Sequence, residues 1–285
     1  MDPLPTELRE IVLRALREDA PYGDITTRAV VSPGMRALAR IIARSEAVVA
    51  GLPVAEATFA ALDDRIAFRA AEREGARVQA GSILAEIEGR AAAILTAERT
   101  ALNFLQRMSG IATLTARFVE RVQGLPARIL DTRKTAPGLR ALDKYAVRAG
   151  GAHNHRFGLS DGVLIKDNHL RVAGGIGAAV AKARAALRTM PIQVEASSFE
   201  QVEEALAAGA DAVLLDNMTV EELRRAVARV AGAAKTEASG GVTLDNVRAI
   251  AETGVDMISV GSLTHSAPAA DIALDLAEVQ TGCRG

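Results

Sequence analysis

From about residue 128 onwards, short apolar runs alternate with longer amphipathic ones. The short runs are ARIL, GVLI, IQV, AVLL, KTEA and DMISV, and their length and β-branched residues are typical of buried strands. Between them, apolar residues recur at helical spacing over 139–149, 175–188, 198–208, 219–230 and 243–253. Strands that alternate with amphipathic helices build parallel sheets. The pattern therefore predicts a parallel α/β sheet or barrel in the second half of the chain.

Residues 25–90 follow a different pattern. Short strand-like pieces such as RALARIIARSEAVVAG and GSILAEIEG surround one helical piece near 53–62, which predicts a separate α+β domain. A long helix is predicted next, over roughly 91–123, and it is apolar over much of its surface. We expect this helix to contribute to an interface. The polar positions that interrupt its apolar surface are Glu98, Arg99, Asn103 and Arg107.

Polar residues and glycines follow each predicted strand of the second half. All strands of a parallel barrel point the same way, so the residues after their carboxyl ends surround one opening, where catalytic groups collect. We therefore expect one mouth to gather these residues. In chain order they are Asp131, Arg133 and Lys134, then Lys166, Glu195, Asp216, Glu237 and Ser239, and finally Gly261.

Composition and charge exclude several classes of protein. The chain has 285 residues, 49% of them apolar, so it can bury a large core. Its net charge of −1 argues against general binding to nucleic acid or anionic lipid, and any electropositive surface must be local. No apolar stretch of about 18 residues is free of charge and no basic, apolar leader is found, so we expect neither a membrane span nor secretion. The single cysteine, Cys283, excludes an intrachain disulfide and a cysteine metal cluster and fits a cytoplasmic protein.

Positive charge is concentrated in one segment of this nearly neutral chain. Residues 131–170, DTRKTAPGLRALDKYAVRAGGAHNHRFGLSDGVLIKDNHL, bring arginines, lysines, histidines and glycines to predicted strand ends and turns. The chain has 34 basic residues but only five lysines, and none precedes Lys134, so Lys134 and Lys166 depart from its preference for arginine. Cations that converge at turns indicate a site for a small, multiply charged anion.

Several of these residues have more than one interpretation. Arg133 and Lys134 come just before the helix-breaking sequence Ala-Pro-Gly, where they predict an anion clamp, with a solvated turn as the alternative. His153 and His155 have the spacing of metal ligands on a strand. Without a third ligand they are better explained as hydrogen-bond donors, and His155 next to Arg156 suits a carboxylate.

The remaining candidates divide between catalysis and binding. Lys166, at the end of GVLIK, either forms a Schiff base with a carbonyl substrate or binds phosphate as an ammonium. Glu195 and Asp216 either hold Mg²⁺ and stabilise positive charge on a sugar, or cap the helices that follow them. The small residues of EASGGVT and ISVGSLTHS predict phosphate ligands, because barrels often bind phosphate after their last strands.

Together these segments resemble the type II phosphoribosyltransferases, and among them the quinolinate phosphoribosyltransferase family (nicotinate-nucleotide pyrophosphorylases, carboxylating). The resemblance runs through nearly the whole chain, in EDAPYGDITT, ERTALNFLQRMSGIAT, DTRKTAPGLR, GGAHNHRFGLSDGVLIKDNH, LLDNM, EASGGV and ISVGSLTHS. It implies an N-terminal α/β sandwich domain joined to an incomplete parallel α/β barrel. The implied bounds are 1–115 for the sandwich with its linking helix, 116–270 for the catalytic barrel, and 271–285 for a C-terminal segment that packs back on the N-terminal domain.

The resemblance also implies an activity and its site. Phosphoribosyl would pass from phosphoribosyl pyrophosphate to quinolinate with decarboxylation, giving nicotinate mononucleotide, pyrophosphate and carbon dioxide, in the de novo biosynthesis of NAD. Lys134, Lys166, Glu195 and Asp216 would be catalytic, with Mg²⁺ held by Glu195 and Asp216 directly or through water. The enzyme would be a homodimer with shared active sites, or a hexamer built from dimers. The substrates would contact these four residues together with Thr132, Arg133, His155, Arg156, Ser239, Gly240, Gly241, Gly261 and the partner subunit's Arg99.

Other readings stay open on sequence alone. A paralogous branch of the family, associated with molybdenum-transport gene clusters, shares the fold, but the intact NHR and LIKDNH segments argue against it. Where the family usually has Glu-Val-Glu, this chain has Gln193-Val194-Glu195. The resemblance therefore implies a site role for Glu195 alone. A Schiff-base aldolase, a non-catalytic anion-binding or RNA-binding protein, and an enzyme acting on nicotinate are the other candidates. Nicotinate has one carboxylate and quinolinate has two, so nicotinate needs fewer cationic side chains to bind it. The number of cations at the predicted site therefore favours quinolinate.

Overall fold

A computed structural model of the chain describes residues 7–280, so Cys283 lies outside the described residues. The chain divides into two compact units. The first consists of Met1–Ala116, Thr135–Gly151 and Ser266–Gly285, and the second of Arg117–Lys134 and Ala152–His265. Within the described range, no helix combines the length and the apolar character that crossing a membrane requires.

Helices and strands alternate along most of the chain. Up to residue 121 they are α1 (Leu8–Asp19), α2 (Ile25–Val30), β1 (Arg36–Ala43), β2 (Ala47–Val48), α3 (Leu52–Leu62), β3 (Ala67–Ala70), β4 (Arg77–Val78), β5 (Ile83–Arg90) and α4 (Ala91–Arg121). They continue with β6 (Arg128–Leu130), α5 (Arg140–Ala149), β7 (Val163–Ile165), α6 (Asp167–Ala173), α7 (Ile176–Ala186), β8 (Ile192–Ala196), α8 (Phe199–Ala207), β9 (Ala212–Asp216), α9 (Val220–Val230), β10 (Lys235–Ser239), α10 (Val247–Ala251), β11 (Met257–Ser259), α11 (Ser262–His265) and β12 (Ile272–Gln280).

The first unit is built on a four-stranded antiparallel sheet in the order β12-β1-β5-β3. The residues of β1, RALARIIA, alternate between buried and more exposed, which gives the sheet one covered face. On the other face Arg40 pairs across the strands with Glu86 at 2.9 Å. The core contains Phe59 of α3, Ile87 of β5 and Ile94 of α4, all fully buried. This arrangement confirms the predicted N-terminal α/β sandwich domain.

Helices α1 and α2 and strand β12 of the first unit were not predicted. Helix α1 has apolar residues at helical spacing, with Ile11, Val12 and Leu16 buried on one face, so the sequence did carry its signal. Helix α2 is only six residues long. Strand β12 pairs with β1 from the far end of the chain, with Ile272 opposite Ala43. Most of β12 is exposed. Because β12 has a single partner and covers little of the core, its local sequence carries no strong strand signal.

The second unit contains a six-stranded parallel sheet in the order β6-β11-β10-β9-β8-β7. Strand β6 comes first in the chain but pairs with β11, so the sheet curls round in the manner of a barrel. Strands β6 and β7 are not neighbours in this sheet, and an isolated bridge joins Leu130 to His153 instead. The barrel is therefore incomplete, and the predicted fold class is confirmed.

The helices of the βα repeat lie close to the predicted bounds. Helices α5, α7, α8 and α9 each begin and end within two residues of the prediction. The exception is α10, which was predicted over 243–253 but begins at Val247. In place of the predicted first helical turn, the chain forms a turn that the Asn246 side chain stabilises. The Thr243 N–H donates to Asn246 Oδ1 at 2.8 Å, and Asn246 Nδ2 donates to the Gly241 carbonyl at 2.9 Å.

Strand β8 shows how the barrel presents polar residues to its interior. Ile192, Val194 and Ala196 are fully buried, whereas Gln193 and Glu195 are half-buried. Successive side chains of a strand point to opposite faces, so the two polar residues share the face that lies away from the apolar layer. The same alternation places Glu237 and Ser239 of β10 on one face.

Candidate active site

A cavity of about 480 Å³ opens in the second unit at the carboxyl ends of the barrel strands. Its lining includes every predicted site residue of this unit except Glu195. The lining residues are Thr132, Arg133, Lys134, His155, Arg156, Leu164, Lys166, Leu214, Asp216, Glu237, Ser239, Gly240, Gly241, Val242, Thr243, Ser259, Gly261, Ser262 and His265. The cavity thus combines four Lys and Arg side chains with two carboxylates and two glycine-containing loops.

Arg133 and Arg156 bring two positive charges close together in the cavity, and this arrangement favours an anionic ligand. Arg156 is half-buried and donates from Nη1 to the Gly162 carbonyl at 2.7 Å. Burial lowers the pKa of the Arg156 guanidinium, and the neighbouring charge of Arg133 lowers this pKa further. Arginine nevertheless stays protonated in proteins. An anion bound beside both guanidiniums would compensate the desolvation and the repulsion together.

Lys166 is engaged with a carboxylate. It follows β7, and its Nζ donates to Glu195 Oε2 at the end of the neighbouring strand β8. This ion pair explains why Glu195 does not line the cavity: its carboxylate is turned towards Lys166. An ammonium in an ion pair has no free lone pair with which to attack a carbonyl, so the geometry does not favour the Schiff-base aldolase.

A buried carboxylate holds the segment that carries His155 and Arg156. Asp131 has no exposed surface; its Oδ1 accepts the His155 N–H at 2.8 Å and its Oδ2 accepts Asn154 Nδ2 at 2.5 Å. Asp131 directly follows β6, so these bonds connect that strand to residues 154–156. The arrangement brings the cations of two distant sequence blocks to the same cavity.

His153 and His155 do not share a ligand site. His155 lines the cavity, whereas His153 is exposed, does not line it, and uses its backbone to bond with Ile129 and Asp131 at 3.0 and 3.2 Å. In residues 7–280, no three side chains of His, Cys, Asp or Glu are grouped as a protein metal site requires. Any metal in the cavity would therefore need additional ligands from water or substrate.

The loop after β10 approaches Asp216 closely. Gly240 has φ +92°, and a Cβ at this position would lie 2.1 Å from Asn217 Oδ1. Asn217, at φ +55°, donates its N–H to the Ser239 carbonyl at 2.8 Å and its Nδ2 to Asp216 Oδ2 at 2.8 Å. Glycine is required at 240 by both the backbone conformation and the contact. The small residues of EASGG therefore allow the loop to pack against Asn217, whose side chain bonds to Asp216.

The loop after β11 packs against Lys134. A Cβ at Gly261 would meet Lys134 Cδ at 3.1 Å and His265 Nε2 at 3.2 Å. The Thr264 hydroxyl donates to the Lys134 carbonyl at 2.7 Å, and the Lys134 N–H donates to Thr132 Oγ1 at 3.0 Å. These contacts hold the loop after β6, with its lysine, beside the loop after β11.

Several cavity residues were not assigned a role from the sequence. Glu237 was expected at the barrel mouth and does line the cavity, but no role was assigned to it. His265 lies one helical turn beyond Gly261 on α11, a relation that depends on a helix of four residues that the sequence did not predict. Asn217 supports the site without lining it.

The remaining predicted site residue, Arg99, belongs to the first unit and is exposed on α4. Asn103 lies one turn further along the same face. Asn103 lines a groove of about 670 Å³ within the first unit. The groove is formed by Ile11, Arg14, Ala15, Glu18 and Asp19 of α1, by Thr100, Asn103, Phe104 and Arg107 of α4, and by Pro137, Gly138 and Leu139.

Comparisons with known proteins agree with one another. Residues 24–109 match the family model described as quinolinate phosphoribosyl transferase, N-terminal domain, and residues 111–275 match the model of its C-terminal domain. A protein of Mycobacterium leprae named nicotinate-nucleotide pyrophosphorylase (carboxylating) is 46% identical over 276 residues, which cover 94% of this chain and 96% of that protein. A probable nicotinate-nucleotide pyrophosphorylase (carboxylating) of Bacillus subtilis is 43% identical, covering 95% of this chain and 93% of that protein. The crystal structure of NadC from Streptococcus pyogenes has a TM-score of 0.93 at 38% identity, covering 98% of this chain and 99% of that one.

Proposed function

The chain belongs to the quinolinate phosphoribosyltransferase family, and we propose that the cavity of its second unit is the place where it carries out that family's reaction. The enzyme transfers phosphoribosyl from phosphoribosyl pyrophosphate to quinolinate with decarboxylation, and yields nicotinate mononucleotide, pyrophosphate and carbon dioxide for NAD biosynthesis. One observation carries the assignment of the site. Four cationic side chains and two glycine-containing loops meet in a single cavity of a chain whose net charge is −1.

Quinolinate is a dianion, and the two arginines match its carboxylates. Arg133 and Arg156 line the same cavity, and their forked donors suit planar carboxylates. Arg156 is half-buried beside a second cation, so a bound dianion would remove an unfavourable interaction as well as add a favourable one. His155, which lines the same cavity, would complete the wall against which the pyridine ring lies.

Phosphoribosyl pyrophosphate would occupy the opposite side of the cavity. Its 5-phosphate would bind to the loops after the last two strands, on Ser239, Gly240, Gly241 and Gly261, whose backbone N–H groups can be approached closely. Lys134 and Lys166 would neutralise the remaining phosphate charge, assisted by Thr132. Glu195 and Asp216, at the ends of the adjacent strands β8 and β9, would face the ribose.

The chemistry requires charge stabilisation more than proton transfer. As pyrophosphate leaves with the C–O bonding pair, positive charge develops on the ribose, and the carboxylates of Glu195 and Asp216 stabilise it. The pyridine nitrogen then forms the C–N bond. In the resulting pyridinium, the C–C bond to the adjacent carboxylate breaks, carbon dioxide departs, and the pair left on the ring carbon is stabilised by the positive nitrogen until it takes up a proton.

Mg²⁺ is the proposed metal, and the donor set fits it. Asp216 lines the cavity, and Glu195, which accepts from Lys166, lies at the end of the neighbouring strand, so both offer carboxylate oxygens. In residues 7–280 no group of three or more His, Cys, Asp or Glu side chains is found that could hold the ion alone. Such an arrangement suits Mg²⁺ held by one or two carboxylates together with water and substrate phosphates. When bound, the ion would neutralise charge on the departing pyrophosphate.

The active form is proposed to be a homodimer in a cytoplasmic location, with the partner subunit's Arg99 reaching the cavity. Two features of the first unit support a partner surface there. Arg99 and Asn103 lie on one exposed face of α4, next to the concave groove that Asn103 lines. Tyr22 and Ile25 of the first unit are also 90% and 72% exposed, so a partner that covered them would bury apolar surface.

The reaction can be tested directly with the purified protein. We expect formation of nicotinate mononucleotide and carbon dioxide in equal amounts from quinolinate, phosphoribosyl pyrophosphate and Mg²⁺, measured by chromatography and by trapped gas. Nicotinate serves as the control substrate and is expected to give no turnover, because it lacks the second carboxylate for the arginine pair. In a further arm, EDTA should stop the reaction and added Mg²⁺ should restore it. Turnover of nicotinate in place of quinolinate would contradict the proposal.

The phosphate assignment predicts the effect of a single methyl group. Gly240→Ala is expected to raise the KM for phosphoribosyl pyrophosphate by about tenfold or more, because the new Cβ collides with Asn217 and displaces the loop from Asp216. Gly232→Ala is the matched control, since Gly232 has φ +80° but open space around its Cβ position. The control should lose about 1 kcal/mol of stability at unchanged KM. Equal kinetics in both variants would argue against this loop as the phosphate site.

A further inference from the structure

A buried carboxylate of the cavity has no part in the mechanism above. Glu237 lies on β10 two residues before Ser239, on the same face of the strand but deeper in the barrel. Its side chain is 1% exposed, yet it contributes to the cavity lining. A carboxylate at such depth is costly unless its charge is compensated, so its partners indicate what it does.

Glu237 is held from two sides. Its Oε2 accepts a hydrogen bond from Gln193 Nε2 at 2.8 Å and lies 3.3 Å from His155 Nε2. Burial acts to raise the pKa of Glu237, but hydrogen bonds from His155, Gln193 and Ser259 bring this pKa below its ordinary value. The group is therefore a carboxylate at neutral pH, and it acts as an acceptor only.

The contacts of His155 assign the position of its ring proton. Nδ1 accepts the N–H of Arg156 at 2.7 Å, so Nδ1 carries the lone pair. The proton then lies on Nε2, the nitrogen that faces Glu237. The imidazole is thus fixed at one end by the backbone of Arg156 and at the other by the buried carboxylate, and its orientation and that of the 155–156 peptide depend on each other.

We propose that Glu237 is a positioning residue for quinolinate: by accepting the Nε2 proton of His155 it fixes the ring, and through the ring the backbone that carries Arg156 into the cavity. Gln193 holds the carboxylate in place from the other side. This role rests on the proposed function of Arg156 in quinolinate binding, because Glu237 itself acts only through His155.

The test distinguishes a loss of His155 positioning from a folding defect and from the loss of the negative charge of Glu237. In Glu237→Ala we expect the KM for quinolinate to rise about tenfold, with kcat and the KM for phosphoribosyl pyrophosphate changed less than about threefold, because only the quinolinate half of the cavity loses its support. Glu237→Gln keeps an acceptor oxygen for His155 and should restore the quinolinate KM to within about threefold of wild type.

A spectroscopic measurement tests the ring directly. Protein labelled with ¹⁵N in its four histidines should show a protonated Nε2 and an unprotonated Nδ1 for His155, a signal identified by its absence in His155→Ala. This pattern should persist in Glu237→Gln and give way to a mixture of tautomers in Glu237→Ala. The signal does not depend on catalysis, so it distinguishes failure of this proposal from failure of the enzyme assignment.

Thr236→Val is the matched control for a defect of folding. Thr236 is the preceding residue of the same strand, is 2% exposed, and bonds with Asp256 on the opposite face at 2.9 Å. This variant should lower the melting temperature while leaving the KM for quinolinate unchanged. The proposal is overturned if Glu237→Ala retains both the wild-type quinolinate KM and the His155 signal, or if Glu237→Gln is as impaired as Glu237→Ala.

Discussion

Replacement of Arg156 by alanine is expected to lower kcat/KM for quinolinate by about 100-fold or more, while the protein stays folded. The guanidinium is half-buried in the cavity, and it donates to the Gly162 carbonyl at 2.7 Å, so it is already oriented before the substrate arrives. Its removal leaves one carboxylate of the dianion without its forked partner in a partly desolvated site. Arg133→Ala is expected to have a similar effect through the other carboxylate. Steady-state kinetics with quinolinate varied, together with circular dichroism, measures both.

Two further substitutions make the arginine prediction specific. Arg156→Lys keeps the charge but loses the planar fork, so it should recover only a small part of the lost kcat/KM. Arg224→Ala removes an exposed arginine of α9, whose contact with Glu221 is 3.9 Å, and should leave the kinetics unchanged. Activity close to wild type in both Arg133→Ala and Arg156→Ala would show that the clamp has been assigned to the wrong residues.

The barrel could be predicted from the sequence because its elements are locally consistent. Strands β6, β7, β8, β9 and β11 are short, mostly apolar runs, and helices α5, α8 and α9 each have an apolar stripe, so pattern and fold agree over whole elements. The positions of the strand ends then identified the candidate residues. Residues from Thr132 to Gly261 line one cavity because all the strands point the same way. This inference required that the strands be parallel, but it did not require their order in the sheet.

What sequence could not supply was the contact between distant residues. That Glu195 turns to Lys166, that Glu237 meets His155, and that Asn217 packs on Gly240 are relations between strand ends set by the register of neighbouring strands. Register is decided by packing across the sheet, which a single sequence shows only indirectly. For the same reason the strand β12 was not predicted, although its segment was expected to pack on the N-terminal domain: its neighbour in the sheet is β1, near the other end of the chain.

Arg99 raises a different question, because it is exposed on the first unit whereas the cavity residues all belong to the second. If the partner subunit's Arg99 completes each site, a dimer contains two composite sites, each with the barrel of one chain and the arginine of the other. The number of intact sites then depends on whether two substitutions are placed on the same chain of the dimer or on different chains. Arg99→Ala and Lys166→Ala are suitable substitutions, since Lys166 lines the cavity.

A heterodimer of one Arg99→Ala chain and one Lys166→Ala chain, isolated with two different tags, is expected to recover about half of the wild-type activity, although each homodimer is nearly inactive. One of its sites carries both substitutions and the other carries none. The control places both substitutions on one chain and pairs it with a wild-type chain. Each site of that dimer then contains one defect, so activity should stay near zero with the same set of mutations. If Arg99 acted within its own chain, the two results would be exchanged: the first dimer would be inactive and the second would keep half of its activity.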